Sequence, residues 1–102
     1  MTTEQVELSP RDQIIEVLKK IEDPELYLDV WFLGLIYNIQ IEDKQVDVEM
    51  TFTSPMCPFG PQLVEEVRSG IKGLGYDPVN IRITFEPAWT PSDEVRAMLG
   101  MI

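Results

Sequence analysis

From Val46 to Phe52 apolar and polar side chains alternate without a break, with Val46, Val48, Met50 and Phe52 on one side and Asp47, Glu49 and Thr51 on the other. Val79, Ile81, Ile83 and Phe85 repeat the pattern against Asn80, Arg82, Thr84 and Glu86. A period of two is the signature of a strand with one face in a core and one in water, and no helix can sort these residues that way. A third stretch, Leu35 to Ile41, nearly alternates and is joined to the first by the polar turn Glu42-Asp43-Lys44-Gln45, so the two read as an antiparallel hairpin.

The strands are interleaved with helical patterns. Ser9-Pro10-Arg11-Asp12 carries the chemistry of a helix start: a hydroxyl to accept from the first turn, a proline where no N–H is needed, and a carboxylate at the positive end. Ile14, Ile15, Val17, Leu18 and Ile21 then recur at helical spacing, which predicts a helix over about residues 10 to 22, stopped by Asp23-Pro24. Leu63, Val64, Val67, Ile71 and Leu74 predict a second helix to about Lys72, ended by Gly73 and Gly75. Pro91-Ser92-Asp93-Glu94 opens a short third one, with Val95, Met98 and Leu99 inward. The order α-β-β-α-β-α predicts an α+β two-layer sandwich: a small three-stranded mixed sheet with helices on one face. Its 102 residues suffice for one domain, expected over 9–102 behind a loose tail at 1–8.

Composition narrows the function classes. With 44% hydrophobic and 25% charged residues the chain has the make-up of a globular protein. Eight basic against eighteen acidic residues give a formal charge of −10, which repels phosphate backbones and anionic lipid, so neither nucleic acid nor membrane is expected as a partner. No apolar run has the length of a membrane span and the first residues lack the basic start and apolar stretch of a signal peptide, so a cytoplasmic location is expected.

Two loops stand out. Asp23 to Gly34, DPELYLDVWFLG, is too aromatic for a solvated connection; Trp31, Phe32 and Leu33 either plug one end of the core or help the segment set Asp23, Glu25 or Asp29 beside another loop. The other loop is TSPMCPFGP, residues 53–61, which holds the single cysteine, Cys57, in a chain without histidine. A helix beginning at Pro58 would put Cys57 at the N-cap, where the helix end favours a thiolate; one beginning at Pro61 would leave it a turn earlier. A lone cysteine is often a small buried hydrophobe, but three prolines keep this one in a loop, where reactive side chains concentrate.

What the thiol could do is bounded by what is missing. Cysteine hydrolases use an adjacent base, usually histidine. A structural zinc site takes four ligands and an iron–sulfur cluster normally four thiolates, so Cys57 alone closes neither. A site shared between chains, a transient mono-thiolate site helped by Asp or Glu, and redox chemistry stay open. A third segment, Phe85-Glu86-Pro87-Ala88-Trp89-Thr90-Pro91, holds Trp89 rigidly between prolines as either a core lid or a contact surface.

Asp23-Pro24-Glu25-Leu26, Leu33-Gly34-Leu35-Ile36-Tyr37, Thr53-Ser54-Pro55-Met56-Cys57-Pro58 and Trp89-Thr90-Pro91, in this order, resemble the domain of unknown function fifty-nine, or MIP eighteen-like, family, which includes SufT and PaaD relatives. The likeness spans about residues 10 to 99. One departure is Glu86-Pro87-Ala88, where the family commonly has Asp-Pro-Pro. The resemblance implies an iron–sulfur-assembly-like fold and an accessory role in assembling clusters or delivering them to client proteins, not a metabolic enzyme. It implies that Cys57 is the functional thiol and metal ligand, with Asp23, Glu25, Thr53 and Trp89 supporting it. It also implies a transiently bound iron or cluster shared between chains, for which a homodimer would be useful, and none held stably by one chain. The alternative is a non-catalytic adaptor in which the thiol is incidental; a small thiol-redox activity is the third reading.

Overall fold

The structure, a computed structural model, describes residues 8–54 and 58–100. Its elements are α1 (Pro10–Leu18), β1 (Ile36–Glu42), β2 (Gln45–Met50), α2 (Gly60–Lys72), β3 (Val79–Ile83) and α3 (Asp93–Met98). The α-β-β-α-β-α order and the three-stranded mixed sheet agree with the alternation and the helical spacing.

The strands lie in the order β1-β2-β3, with β2 antiparallel to β1 and parallel to β3. Asp43, at a φ of 54°, turns the chain between the paired residues Glu42 and Gln45. The register aligns Ile39 with Val48 and Ile41 with Val46, and on the other side Val46 with Val79, Val48 with Ile81 and Met50 with Ile83. Cross-strand partners share a face, so these apolar residues make one continuous surface. It is covered by Ile14 and Leu18 of α1 and by Leu63, Val67 and Ile71 of α2, all buried, and Val95 of α3 joins the same core. Central β2 contributes its three apolar side chains fully buried, while those of β1 and most of β3 are partly covered.

Among the described residues the opposite face bears no helix. Asn38, Gln40, Asp47, Glu49, Asn80 and Arg82 line a shallow groove of about 330 Å³ there. They partner one another: Arg82 with Glu49 at 2.7 Å, and Asn80 with Asp47 at 2.9 Å.

Two boundaries differ from the expected ones. Helix α1 ends at Leu18, a turn short of Asp23-Pro24, because Ile21 accepts from Val30 N–H and Glu22 bridges to Asp29, which requires extended backbone there. Strands β2 and β3 stop before Phe52 and Phe85, since Thr51 N–H turns to the Leu35 carbonyl and the parallel ladder ends with Thr84 N–H on Met50. The two aromatic side chains continue the apolar alternation past the ladder, with ring centroids 6.2 Å apart.

Candidate functional site

The topology decides where the unusual segments meet. β1 begins where β2 ends, with Ile36 opposite Met50, and parallel β3 ends beside them, with Ile83 opposite Met50. The chain entering β1, the chain leaving β2 and the chain leaving β3 therefore share one end of the sheet. Among the described residues these are 19–35, 51–54 with 58–59, and 84–92, parts of the three segments too rich in unusual residues for plain connections. The 330 Å³ groove on the open sheet face includes none of them.

In the first segment Asp23 is completely buried and organises its own turn. Its Oδ1 accepts from the N–H groups of Glu25, at 2.7 Å, and Leu26, at 3.1 Å. Its backbone N–H donates to Leu28 and its carbonyl accepts from Tyr27. This tight closure forces Tyr27 to a φ of 59°, unusual for an aromatic residue, and leaves its side chain 75% exposed. The second oxygen, Oδ2, is buried and has no hydrogen-bond partner among the described residues. A buried carboxylate oxygen left unpaired costs free energy, so such an atom calls for a partner.

Asp29 works differently: its Oδ2 caps the next turn through Phe32 N–H at 2.8 Å, and that turn ends at Gly34, φ 77°. Leu33 is buried, and Trp31 and Phe32 pack against the core as part of its end. Glu25 is exposed.

The third segment is strapped onto the first. Trp89 Nε1 donates to the Leu33 carbonyl at 2.6 Å, and Tyr37 Oη to the Pro87 carbonyl at 2.9 Å. Half-buried Trp89 is thus a lid packed against the core with its polar edge satisfied. Tyr37, part of the Leu33 to Tyr37 motif, was not singled out from the sequence, because its partner lies on a segment fifty residues away.

The second segment runs from buried Thr51 through half-buried Phe52 and Thr53. Cys57 lies outside the described residues, and with it its distance to Asp23 and Glu25. Helix α2 starts at neither proline considered above: Gly60 is its first residue and Phe59 its N-cap, with no side-chain hydrogen bond to the cap and no acidic residue in the first turn. A β-carbon on Gly60 would lie 2.8 Å from the Phe52 ring, so glycine lets the helix end close onto that ring.

The structure thus brings Asp23, Glu25, Thr53 and Trp89 to one end of the molecule. Residues 21–35 hold four carboxylates, residues 51–60 no charge and residues 84–92 only Glu86, and none of the three stretches has a lysine or arginine. Among the described residues no three Cys, His, Asp or Glu side chains come together as a metal site.

Comparison with known proteins supplies a family. The family profile described as iron-sulfur cluster assembly protein matches residues 11–83. An Fe-S protein maturation auxiliary factor of Porphyromonas gingivalis is 37% identical over 100 residues, covering 93% of this chain and 95% of its own. The Fe-S protein maturation auxiliary factor SufT of Staphylococcus aureus is 37% identical over 70 residues, 67% of this chain and 80% of its own. A conserved hypothetical protein of Thermotoga maritima shares the fold with a TM-score of 0.78 and 38% identity, over 97% of this chain and 99% of its own. With most of its length matched and the motif-bearing loops assembled at one end of the expected fold, the chain belongs to the iron-sulfur cluster assembly protein family.

Proposed function

We propose that this protein is an accessory factor that helps assemble iron–sulfur clusters or deliver them to client proteins, with Cys57 as the thiolate that meets iron or cluster in transit. The observation that carries this reading is the carboxylate of Asp23, fully buried at the motif-bearing end with Oδ2 unpartnered among the described residues. A hard oxygen held there fits an iron ion, which Cys57 would complete only in part, so the cargo is substrate and not a resident cofactor. The remaining ligands come from the client.

Glu25, exposed beside it, adds charge at the rim; Trp89 keeps the Leu33 turn in place; Thr53 lines the same end. The uncapped start of α2, three residues beyond Cys57 in the chain, offers unpaired amides to an anion such as a thiolate or a cluster sulfide. The relatives are named for auxiliary factors, which supports an accessory and not an enzymatic role. We place that role in the cytoplasm and in one domain over residues 9–102.

The adaptor reading is favoured by one observation, the exposed aromatic side chains beside the second segment. Two variants separate the readings. Cys57→Ser should fold normally, bind its partner in a pull-down and fail to support activity of an iron–sulfur client enzyme. Normal client activity in that variant, with partner binding lost only in Trp89→Ala, would leave the adaptor.

A further inference from the structure

The geometry points to a docking surface at this end for a polypeptide segment that presents an apolar side chain flanked by lysine or arginine. It rests on the accessory-factor reading and names the chemistry of the partner. Phe52 lies between the Phe85 ring, 6.2 Å away, and Gly60 at the start of α2, next to Phe59. Phe59, 39% exposed, stands next to Gly60 in the chain, and Phe85 is 40% exposed, so its ring and that of Phe52 form an aromatic step on the surface. Its setting is built: Thr84 Oγ1 accepts from Glu86 N–H, and Tyr37 holds the Pro87 carbonyl, which fixes the chain on both sides of Phe85 and Glu86. A surface ordered before binding loses little entropy on docking.

Charge selects the occupant. Glu22, Glu25, Asp29 and Glu86 lie on the loops of this end, and the stretches 21–35, 51–60 and 84–92 hold no lysine or arginine. Four of the eight cations are engaged in ion pairs: Lys19 with Glu16 on α1, Arg82 with Glu49 on the open sheet face, Arg68 with Glu65 on α2, and Lys72 with Asp77. Phosphate and anionic lipid are repelled, and a second copy, at a charge of −10, would bring like charge. A cationic polypeptide with an apolar anchor satisfies both the rings and the carboxylates. The polar open sheet face, already paired within itself, offers no such anchor.

The test is a titration of the isotope-labelled full chain, followed by amide NMR, with three synthetic peptides: a leucine flanked by lysines, the same with glutamates, and lysines around a glycine. The lysine–leucine peptide should shift the amides of residues 52–54, 59, 60, 84–86 and 88. The glutamate peptide should shift none, and the glycine peptide should bind about tenfold more weakly. Raising NaCl from about 50 to about 300 mM should weaken binding severalfold. Phe85→Ser should cost about tenfold; should it unfold the chain, Glu86→Lys serves instead and should weaken binding. Equal binding of both lysine peptides, or shifts centred on Asn38, Asp47 and Asn80, would overturn the proposal. Cys57→Ser should bind the peptide like the parent chain, so loss of docking and loss of cluster handling are separately visible.

Discussion

Asp23 is asked to do two things with one carboxylate, and its two oxygens divide them. Oδ1 closes the turn through Glu25 and Leu26, while Oδ2 is buried without a partner among the described residues. Asp23→Ala removes both accepted bonds and should destabilise the fold by about 1–3 kcal/mol, seen as a lower midpoint in urea unfolding. Asp23→Asn keeps an oxygen for the same two amides and changes only the charge and the second atom, so it should stay within about 1 kcal/mol of the parent while losing support of a client enzyme. If the asparagine variant is as unstable as the alanine one, the second oxygen is structural. The Asp-Pro-Glu motif was legible in the sequence, but this division was not, since it depends on which oxygen is buried. Trp89 was legible as rigid and its role as a lid was not, because the Leu33 carbonyl it meets is 56 residues away.

At the scale of elements, periodicity carried the strands and the helical faces because each reports a face buried against neighbours. It failed at ends, where single hydrogen bonds decide, as with α1 stopping at Leu18 so that residues 21 and 22 can pair with 29 and 30. The packing of α1 on α2 hid a second requirement. Gly70, in the interior of α2, would place a β-carbon 2.7 Å from Val17 Cγ1, so the helices touch where the glycine is. In an open helix Gly→Ala gains about 1 kcal/mol. Here the added methyl must push a stiff β-branched side chain, at a typical cost of about 1–3 kcal/mol. Gly70→Ala should therefore be neutral to destabilising by up to about 2 kcal/mol, the difference of those two terms. In Val17→Ala the same substitution should become stabilising by about 1 kcal/mol, as read from a double-mutant cycle in urea. Additive effects would mean that the helices separate at this point instead of clashing.

At the scale of the molecule, the fold collects its motif loops at one end of a mixed sheet and leaves the other sheet face polar and paired. Strand order and the parallel pairing of β2 with β3 create that end, and they depend on contacts between segments, not on any local pattern. The acidic balance was plain from the sequence; how little of it is neutralised emerges from the contacts. Among the described residues four ion pairs form, Lys19–Glu16, Arg68–Glu65, Lys72–Asp77 and Arg82–Glu49, and each has an exposed partner. Exposed pairs contribute little, whereas a net charge of −10 on a small domain repels itself in the compact state more than in the expanded chain. Salt shortens the reach of that repulsion to about 10 Å at 0.1 M. It weakens the four attractive pairs as well, but these are short-range and few beside the unpaired carboxylates. Added NaCl should therefore raise the urea midpoint at constant slope, by a stability on the order of 1 kcal/mol, the size of one contact between unit charges in water. Urea is the denaturant to use because guanidinium is itself a salt. A midpoint that falls as NaCl rises would show the exposed ion pairs to outweigh the repulsion, and the acidic end would then be less strained by its charge than its composition implies.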